Sequence, residues 1–490
     1  MIKKILMLFA IFLWAGPLGA APGTLLGGVE ELTLDNGMRF LLLRRQGAPV
    51  FSAYIRVKVG GVDEVDGKTG IAHLLEHMAF KGTDQIGTKD YGKEKALLGQ
   101  VEEIHAKKLQ ARGSQKKALT EQMQQLIQEA GEWVVKEEFS EIYQRNGATG
   151  LNATTSQDLT SYFVSLPSTK LKLWAFLESS RLKNPVFREF YSERNVVGEE
   201  RRMRVEDSPF GKLYETFIQL AFVKSPYRRP TIGYKLDIEK LSATDLRKFY
   251  EKYYVPSNMV GAIVGDIDIE ETKQILRQYF NSLPAKPPAT EPNVREPEPT
   301  RSKRKTIRFD ASPSLIFGYL KPNLPHPDDY VFDIFEQVLC EGRTSRLYKS
   351  LVFKEKLVQR IDCSASTPGS RLENLFFVYA SVRQGHTPEQ VLRAFDREIK
   401  RIADQGVSET ELKKAKKNLM SQWFFDLQSN NDIARALSYF EAVSGNWKYI
   451  LDHQKKIQEV TSEEIQRVIK TYLKPSRRRI AILKPLKGKG

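Results

Sequence analysis

The chain has 490 residues, of which 41% are hydrophobic and 10% aromatic, enough apolar material for two or three folded domains. This composition excludes an intrinsically disordered chain. The formal net charge of +16 is spread along the chain without a nucleic-acid-binding motif, so no nucleic-acid partner is expected.

The N-terminal segment, residues 1–20, has the pattern of a secretory signal peptide. Lys3 and Lys4 precede an apolar run that is followed by small residues. The run is short for a membrane span, and no later segment reaches the ~20 apolar residues that a membrane helix needs. We therefore expect a periplasmic or secreted protein with no stable membrane span after signal cleavage. A retained N-terminal anchor is the alternative.

The next elements are two short strands, MRFLLLRR (38–45) and FSAYIRVKVGG (51–61). An apolar helix, TGIAHLLEHMAFKGT (69–83), follows them. Strands followed by helices occur again in the second half of the chain. This order predicts an α+β fold of two halves, each an antiparallel β-sheet packed with helices.

Three polar side chains interrupt the apolar helix: His73, Glu76 and His77. His73 and His77 lie one helical turn apart on one face, so both rings can reach a single ion. The spacing H-x-x-E-H is the inverted metallopeptidase motif, in which two histidines bind the metal and the carboxylate is the general base. Imidazole and carboxylate ligands suit Zn²⁺. Chance is the alternative, but two buried histidines without partners are costly.

The segment from Tyr91 to Phe139 is polar and strongly helical, and ARGSQ (111–115) interrupts it. This pattern predicts a two-helix hairpin inserted in the first half at about 91–139. A surface decoration that packs only on itself and a role in substrate access or partner contact are both compatible with it.

A third metal ligand has to come from another segment, and residues 191–207 offer Glu193, Glu199 and Glu200. Glu193 and Glu200 lie two turns apart on one helix face, whereas Glu199 points about 100° away. One of the aligned pair can bind the metal while the other orients a ligand histidine. An acidic stripe that forms ion pairs with neighbouring arginines is the alternative, and the spacing alone favours it.

The clearest domain boundary is a segment rich in proline and charge, residues 283–305, which predicts an extended linker. It separates an N-terminal domain, residues 28–282, from a C-terminal domain, residues 306–490. Segments 241–256 and 460–475 match as capped amphipathic helices, each followed by a proline and an apolar strand. The two domains are therefore predicted to be homologous copies of one unit.

The second copy lacks the metal-binding residues. Its counterpart of the apolar helix, residues 330–344, carries Asp333, Glu336 and Gln337 at the positions of the motif. Two carboxylates and an amide at this spacing form a poor zinc site. The C-terminal domain is therefore predicted to be catalytically inactive.

The sequence contains two cysteines, Cys340 and Cys363. They can pair in an oxidising compartment. Their apolar surroundings favour the other interpretation, in which each is a buried free thiol that packs as a small hydrophobic side chain.

Four segments together resemble a known family: HLLEHMAFKGT (73–83), NGATGLNATTSQDLTSYFVSLP (146–167), SPYRRPTIGY (225–234) and YYVPSNMVGAIVGDID (253–268). The chain resembles the pitrilysin or insulinase-type zinc metallopeptidases, the inverzincins, in particular the two-domain bacterial relatives of mitochondrial processing peptidase. The resemblance extends from about residue 28 to the C-terminus and is most specific in the first half.

This resemblance implies roles for individual residues. The family's third zinc ligand corresponds to Glu200, its supporting carboxylate to Glu193, and its general base to Glu76. In the family the peptide substrate binds as an additional strand along a sheet edge, which corresponds to Asn152 and Ala153. A turn at the start of a strand is the alternative role for Asn152.

The sequence departs from the family at one place. The family carries an Arg and a Tyr that hold the substrate carbonyl, and here Val352 and Gln359 occupy those positions. We therefore expect the zinc-bearing subunit of a heterodimer whose homologous partner supplies the Arg/Tyr pair. A homodimer that uses Arg343 or Arg346 is the alternative. The expected activity is zinc-dependent endopeptidase cleavage of peptides or small unfolded polypeptides, and a non-catalytic scaffold or assembly subunit is the competing function.

Overall fold

The computed structural model describes residues 26–486, and the predicted signal peptide lies outside this range. Within it, none of the helices combines the length and apolar character that crossing a bilayer requires. Two β-sheets organise the molecule, one in each half, and helices pack on both. The predicted α+β class with two halves is confirmed.

Within residues 26–282, the first half contains a six-stranded sheet and ten α-helices. The strands are β1 (Glu30–Thr33), β2 (Arg39–Arg44), β3 (Val50–Val57), β4 (Thr149–Thr155), β5 (Thr160–Pro167) and β6 (Met259–Gly265). The helices are α1 (Ile71–Met78), α2 (Tyr91–Gln110), α3 (Gly113–Gly131), α4 (Glu138–Arg145), α5 (Leu171–Lys183), α6 (Phe190–Arg201), α7 (Pro209–Ala221), α8 (Lys235–Ile238), α9 (Ala243–Tyr253) and α10 (Ile269–Phe280).

Over the described residues 303–486, the second half contains a five-stranded sheet and six α-helices. The strands are β7 (Lys303–Phe309), β8 (Ser314–Lys321), β9 (Val358–Thr367), β10 (Asn374–Val382) and β11 (Arg479–Pro485). The helices are α11 (Pro327–Leu339), α12 (Pro388–Gln405), α13 (Glu409–Phe425), α14 (Asn430–Ser444), α15 (Tyr449–Glu459) and α16 (Ser462–Tyr472).

The two sheets share one topology. The strand order is β1-β2-β6-β3-β5-β4 in the first sheet and β7-β11-β8-β10-β9 in the second, so β1 is an addition to a common five-stranded pattern. Each sheet is antiparallel except for one parallel pair, β2 with β6 and β7 with β11. Because β6 and β11 insert between two strands that run in opposite directions, each must be parallel to one of them. The sheets are therefore antiparallel apart from this one pair in each, in agreement with the predicted α+β class.

Each half covers the sheet of the other with one helix. Helix α14 of the second half packs on β3 and β6, and α7 of the first half packs on β7, β8 and β11. All seven residues of β6 are buried as a result, because its two faces meet helices from different halves. Phe217 of α7 meets Phe377 of β10 with ring centroids 5.7 Å apart. This exchange of helices joins the halves through hydrophobic burial.

The connection between the halves is extended and anchored to the first half. Residues 284–299 contain no helix or strand. The buried Glu296 carboxylate accepts hydrogen bonds from the backbone N–H groups of Val223, Lys224 and Ser225 at 2.6–2.9 Å. These contacts fix the path of this proline-rich segment across the surface of the first half.

The inserted segment after α1 forms two helices, α2 and α3, that pack against each other. Their buried side chains, among them Val101 and Met123, join the core of the first half. The chain breaks only at Ala111 and Arg112, because α3 already begins at Gly113, whose positive φ reverses the chain. Most of the break predicted at 111–115 is therefore helical.

Cys340 and Cys363 form a disulfide that joins the end of α11 to β9. Their Cα atoms lie 5.8 Å apart, a normal separation for a disulfide. The preference for buried free thiols was wrong. Apolar neighbours in the sequence are found around free thiols and around disulfides alike, so they do not distinguish the two. The disulfide forms because the fold brings together two cysteines that are 23 residues apart in the sequence.

Candidate metal centre

The helix that carries the H-x-x-E-H motif begins at a constrained position. Gly70, which precedes α1, has φ +85°, and a Cβ there would lie 2.7 Å from the Ile232 carbonyl oxygen, so only glycine fits. The buried Glu64 carboxylate accepts hydrogen bonds from Gly70 N and Ala72 N, both at 2.9 Å. The oxygens of Glu64 cap free N–H groups at this end of the helix, and burial raises the pKa of Glu64 to about 8. The position of α1 is thus set by contacts at its first turn.

The polar side chains of α1 converge with one from α6. The His73 and His77 rings lie one turn apart, with centroids separated by 4.8 Å. Glu200, the penultimate residue of α6, directs Oε2 to 3.6 Å from His73 Nε2 and 3.5 Å from His77 Nε2. The structure therefore brings together the three residues that the sequence assigned to the metal.

These distances fit one small cation between the three donors. Ligands of a tetrahedral zinc ion, bound at ~2.1 Å, lie ~3.4 Å from each other. Glu200 Oε2 and His73 Nδ1 are buried and have no hydrogen-bond partner among residues 26–486. A buried carboxylate oxygen without a partner is costly unless a ligand satisfies it. The donor set of two imidazoles and one carboxylate leaves a fourth position open, as in catalytic zinc sites.

The electrostatics of the site favour the metal-binding forms of these residues. Burial lowers the pKa of His73 to about 4, so its ring is neutral near pH 7. The adjacent His77 imidazole, whose Nε2 lies 3.5 Å from Oε2, lowers the pKa of Glu200, which is therefore a carboxylate. Burial opposes the charged form of His77, but the adjacent Glu200 outweighs it and raises the pKa of His77. A metal cation bound between His77 and Glu200 would take the place of this proton and would neutralise the negative charge of the Glu200 carboxylate.

Glu76 lies beside this cluster on the same helix. Burial raises its pKa, and a hydrogen bond from Thr155 of β4 partly offsets this effect. Its Oε2 is buried and has no hydrogen-bond partner in the described part of the chain. A carboxyl group with a raised pKa and a free oxygen has the properties of a general base in catalysis.

These residues line one cavity of about 830 Å³. One wall is β4, and the opposite wall comprises the end of α6 and the start of α7, including Arg204, Phe210 and Tyr214. Pro368 is the second half's contribution among the described lining residues. The cavity is large enough for several residues of an extended peptide.

Two models of one peptidase family match the chain. The model described as insulinase (peptidase family M16) matches residues 39–104, which include α1 and its histidines. The model described as the peptidase M16 inactive domain matches residues 240–419. Together the matches cover half of the chain and include strands of both sheets. The chain belongs to the M16 peptidase family.

Similar proteins agree with this family and with the resemblance seen in the sequence. The zinc protease PqqE of Helicobacter pylori is 27% identical over 469 residues, 93% of each chain. The crystal structure of a protease from Helicobacter pylori superposes with a TM-score of 0.79 and 26% identity, over 93% of this chain and 99% of that one. The periplasmic protease PqqL from Escherichia coli shares the fold, with a TM-score of 0.69 and 18% identity, over 93% of this chain and 47% of that one.

The other two acidic residues of the M16 motif segment occupy different surroundings. Glu193 lies 3.3 Å from Lys81 Nζ and adds to the effect of Glu200 in raising the pKa of His77. No direct hydrogen bond joins Glu193 to either histidine within the described range. Glu199 is exposed and pairs with Arg202. Helical geometry predicts that Glu199 points away from Glu193 and Glu200, and the positions of the three side chains agree with this.

The segment assigned to substrate binding forms the edge of the first sheet. Strand β4 pairs with β5 alone among the described strands, so its other side is open. Asn152 is exposed and its Oδ1 accepts a hydrogen bond from Ala153 N, whereas the Ala153 side chain is buried in the core. Both residues line the cavity, so this M16 chain presents an open strand edge beside His73 and His77.

The sequence did not identify several residues of the site. Arg204 follows Glu200 by one turn and binds its Oε1 at 2.8 Å. It lies within the segment 191–207, where only the acidic residues are predicted to reach the metal. Thr155 of β4 and Tyr214 of α7 lie far from the motif in sequence, and only the fold brings them to the cavity. The signal available in the sequence for Arg204 was a basic residue four positions after a ligand carboxylate, a spacing at which two helical side chains can form an ion pair.

The positions that lack the family's Arg and Tyr lie away from the cavity. Val352 is partly buried against the core of the second half, and Gln359 is exposed on β9. Arg346, one of the alternative donors, pairs with Glu411, and Arg343 is exposed. None of these four residues lines the cavity that holds the histidines.

Proposed function

We propose that this M16 chain is a zinc-dependent endopeptidase that cleaves peptides or small unfolded polypeptides in an exported compartment. One observation carries the proposal: the donor atoms of His73, His77 and Glu200 lie within 4.8 Å of one another, next to Glu76. The zinc protease names of similar proteins support the choice of metal.

The residues of the site have separate tasks in this reaction. His73, His77 and Glu200 hold zinc, which supplies Lewis acidity to a water molecule and to the peptide carbonyl. Glu76 accepts the proton of that water and later donates it to the leaving amine. Burial raises the pKa of Glu76 above its ordinary value, which favours a group that first accepts and then donates a proton.

Substrate binding uses the open edge of β4. An extended peptide that pairs with Asn152 and Ala153 gains main-chain hydrogen bonds and runs past Glu76 and the zinc ligands. Such pairing depends little on the substrate sequence, and folded proteins lack a free extended segment of this kind. Peptides and unfolded polypeptides are therefore the substrate class.

Two features support an exported compartment. Residues 1–20 have the pattern of a signal peptide, and Cys340 forms a disulfide with Cys363, which is typical of oxidising compartments. The Escherichia coli protein PqqL, which shares the fold, is described as periplasmic. We therefore propose a periplasmic or secreted location for the protein.

We further propose that the chain acts as the zinc-bearing subunit of a heterodimer. Val352 and Gln359 stand where the family carries its Arg/Tyr pair, and Pro368 is the second half's contribution to the cavity lining. A homologous partner that retains the pair would supply the missing donors for the substrate carbonyl, whose loss costs ~3 kcal/mol in the transition state. A homodimer is the alternative assembly.

A reconstitution experiment tests the activity and the assembly together. The purified chain, loaded with zinc, is assayed on a quenched fluorescent peptide, alone and with a homologous protein that carries the Arg/Tyr pair. We expect zinc binding by the chain alone and a large rise in activity on addition of the partner. Full activity of the isolated chain would exclude the heterodimer, and absence of bound zinc would exclude the enzyme.

A non-catalytic scaffold is the second candidate function, and the missing Arg/Tyr pair favours it. The comparison of wild type with Glu76→Gln separates the two functions. Zinc bound by both proteins, with equal background hydrolysis with and without the partner, would establish the scaffold. A loss of hydrolysis in Glu76→Gln alone supports the peptidase.

A further inference from the structure

We propose that Arg204 is a positioning residue, whose guanidinium holds Glu200 Oε1 so that Glu200 Oε2 faces His73 and His77. The inference rests on the proposed zinc site and adds to it a residue outside the ligand set. It starts from the unequal surroundings of the two oxygens of one carboxylate.

The two oxygens of Glu200 have different contacts. Oε1 lies 2.8 Å from Arg204 Nη2, whereas Oε2 faces the two imidazoles and has no hydrogen-bond partner among the residues described. Glutamate has three side-chain torsions, so a carboxylate at a helix end needs a second contact to hold one orientation. Arg204 provides that contact for Glu200. Ligand carboxylates in metal sites are normally hydrogen-bonded in this way.

His73 does not stabilise the ligand arrangement through its second ring nitrogen. Ligand histidines usually donate their second ring N–H to an acceptor, but His73 Nδ1 is buried without a partner within residues 26–486. The arrangement of the ligand set therefore depends more on the carboxylate, and on the residue that holds it.

The backbone around Arg204 is fixed in an unusual conformation. After α6 the chain forms a wide π turn, Arg202–Glu206, in which Asp207 N donates to Arg202 O at 2.8 Å. A Cβ at Gly211 of α7 would lie 1.9 Å from the Arg204 carbonyl oxygen, so α7 packs against this turn only because residue 211 is glycine. Such turns often occur at functional sites. This one places the Arg204 side chain on the wall of the metal cavity.

Arg204 has little importance for folding. Its side chain is 70% exposed, and ion pairs with such exposure contribute little to stability. Arg202 provides a matched control, because it lies in the same turn, is 48% exposed, and pairs with Glu199 and Asp207 instead of the metal site. The two arginines therefore differ mainly in the carboxylate that each one binds.

The test is the zinc affinity of the full-length metal-free protein, measured by competition with a chelating dye. We expect Arg204→Gln to weaken zinc binding by roughly 10–100-fold, the usual effect of removing a partner of a ligand. Arg204→Lys, which keeps one charged donor, should recover part of the affinity. Arg202→Gln should bind zinc as the wild type does, and all three variants should unfold near the wild-type temperature without metal.

The outcomes separate this inference from the proposed function. Wild-type affinity in Arg204→Gln, or an equal loss in Arg202→Gln, overturns the role of Arg204 and leaves the zinc site intact. Absence of zinc binding by the unaltered chain overturns both. If Arg204→Gln lowers the unfolding temperature, recovery of zinc affinity in Arg204→Lys supports positioning, and failure to recover overturns it.

Discussion

Helices α1 and α11 occupy the same place in two copies of one topology, yet their polar residues have opposite surroundings. In α11, Asp333 lies 2.8 Å from His453 Nε2, Glu336 accepts a hydrogen bond from Ala365 N at 2.7 Å, and Gln337 donates to Gln422. The corresponding face of α1 lies in the cavity, where atoms of His73 and Glu76 have no hydrogen-bond partner in the described chain.

The cause of this difference lies in the helices that follow. Helices α13 and α15 of the second half pack directly on α11 and supply the partners of Gln337 and Asp333, while β9 supplies the partner of Glu336. The first half leaves the equivalent face of α1 uncovered and places Glu200 of α6 beside it. One fold therefore yields a structural helix whose three polar side chains each bond to the surrounding protein, and a second helix whose polar side chains converge in a cavity.

The largest expected effect is the loss of peptide cleavage in Glu76→Gln, which is compared with a substitution at the equivalent position of the second half. Glu76→Gln should reduce peptide cleavage by about 10³-fold, because an amide cannot accept the proton of the attacking water. Zinc content should not change, since Glu76 is not a ligand. Steady-state hydrolysis of a quenched peptide and metal analysis of the same samples measure both quantities.

Glu336→Gln is the matched control. Glu336 occupies the equivalent position on α11 and bonds to the backbone of β9, so its loss should leave hydrolysis unchanged. A comparable loss of activity in Glu336→Gln would show that both substitutions act through folding, and it would remove the functional distinction between the halves.

The residues that the sequence predicted well are those whose geometry is local. His73, Glu76 and His77 lie within five residues on one helix, and helical periodicity alone places them on one face. Glu200 required the resemblance to the family, because helix spacing left Glu193 equally suitable. The exchange of α7 and α14 between sheets and the cavity residue Arg204 depend on contacts between distant segments, for which one sequence carries no periodic signal.

The second largest effect concerns an ion pair that joins the halves next to α1. Arg371 of the second half binds Asp63 of the first with both terminal nitrogens, at 2.8 and 3.2 Å, and both side chains are at most 5% exposed. Arg371→Met leaves a buried carboxylate without its partner and should lower the free energy of unfolding by about 3–4 kcal/mol. Urea denaturation measures the change.

Two further variants sharpen this prediction. Asp63→Asn combined with Arg371→Met should recover part of the loss, because no buried charge remains unpaired. Arg360→Met removes a 73%-exposed arginine of β9, paired with Asp362, and should cost less than ~1 kcal/mol. Equal losses for Arg360→Met and Arg371→Met would contradict a special role for the contact between the halves.

The next effect is confined to the second half, where the disulfide lies. Substituting Cys340 and Cys363 by alanine removes a link that closes a loop of 23 residues, and should lower the free energy of unfolding by about 3 kcal/mol. Zinc affinity should not change, because the disulfide joins α11 to β9 and neither contributes a ligand. A loss of zinc-binding free energy as large as the loss in the free energy of unfolding would show that the two halves unfold as one unit.

The smallest expected effect is the pH dependence that Glu336 gives to stability. Burial raises the pKa of Glu336 to about 7 in the folded protein, from an ordinary value of 4.5. Between these values the folded chain holds a proton that the unfolded chain has lost, so the contribution of Glu336 to stability falls as pH rises from 4.5 through 7. Glu336→Gln is neutral at every pH and removes this term. From pH 5 to pH 8 the wild type should therefore lose about 2 kcal/mol more stability than Glu336→Gln. Urea denaturation at both pH values measures this difference, and parallel losses in the two proteins would show that Glu336 is ionised in the folded state throughout.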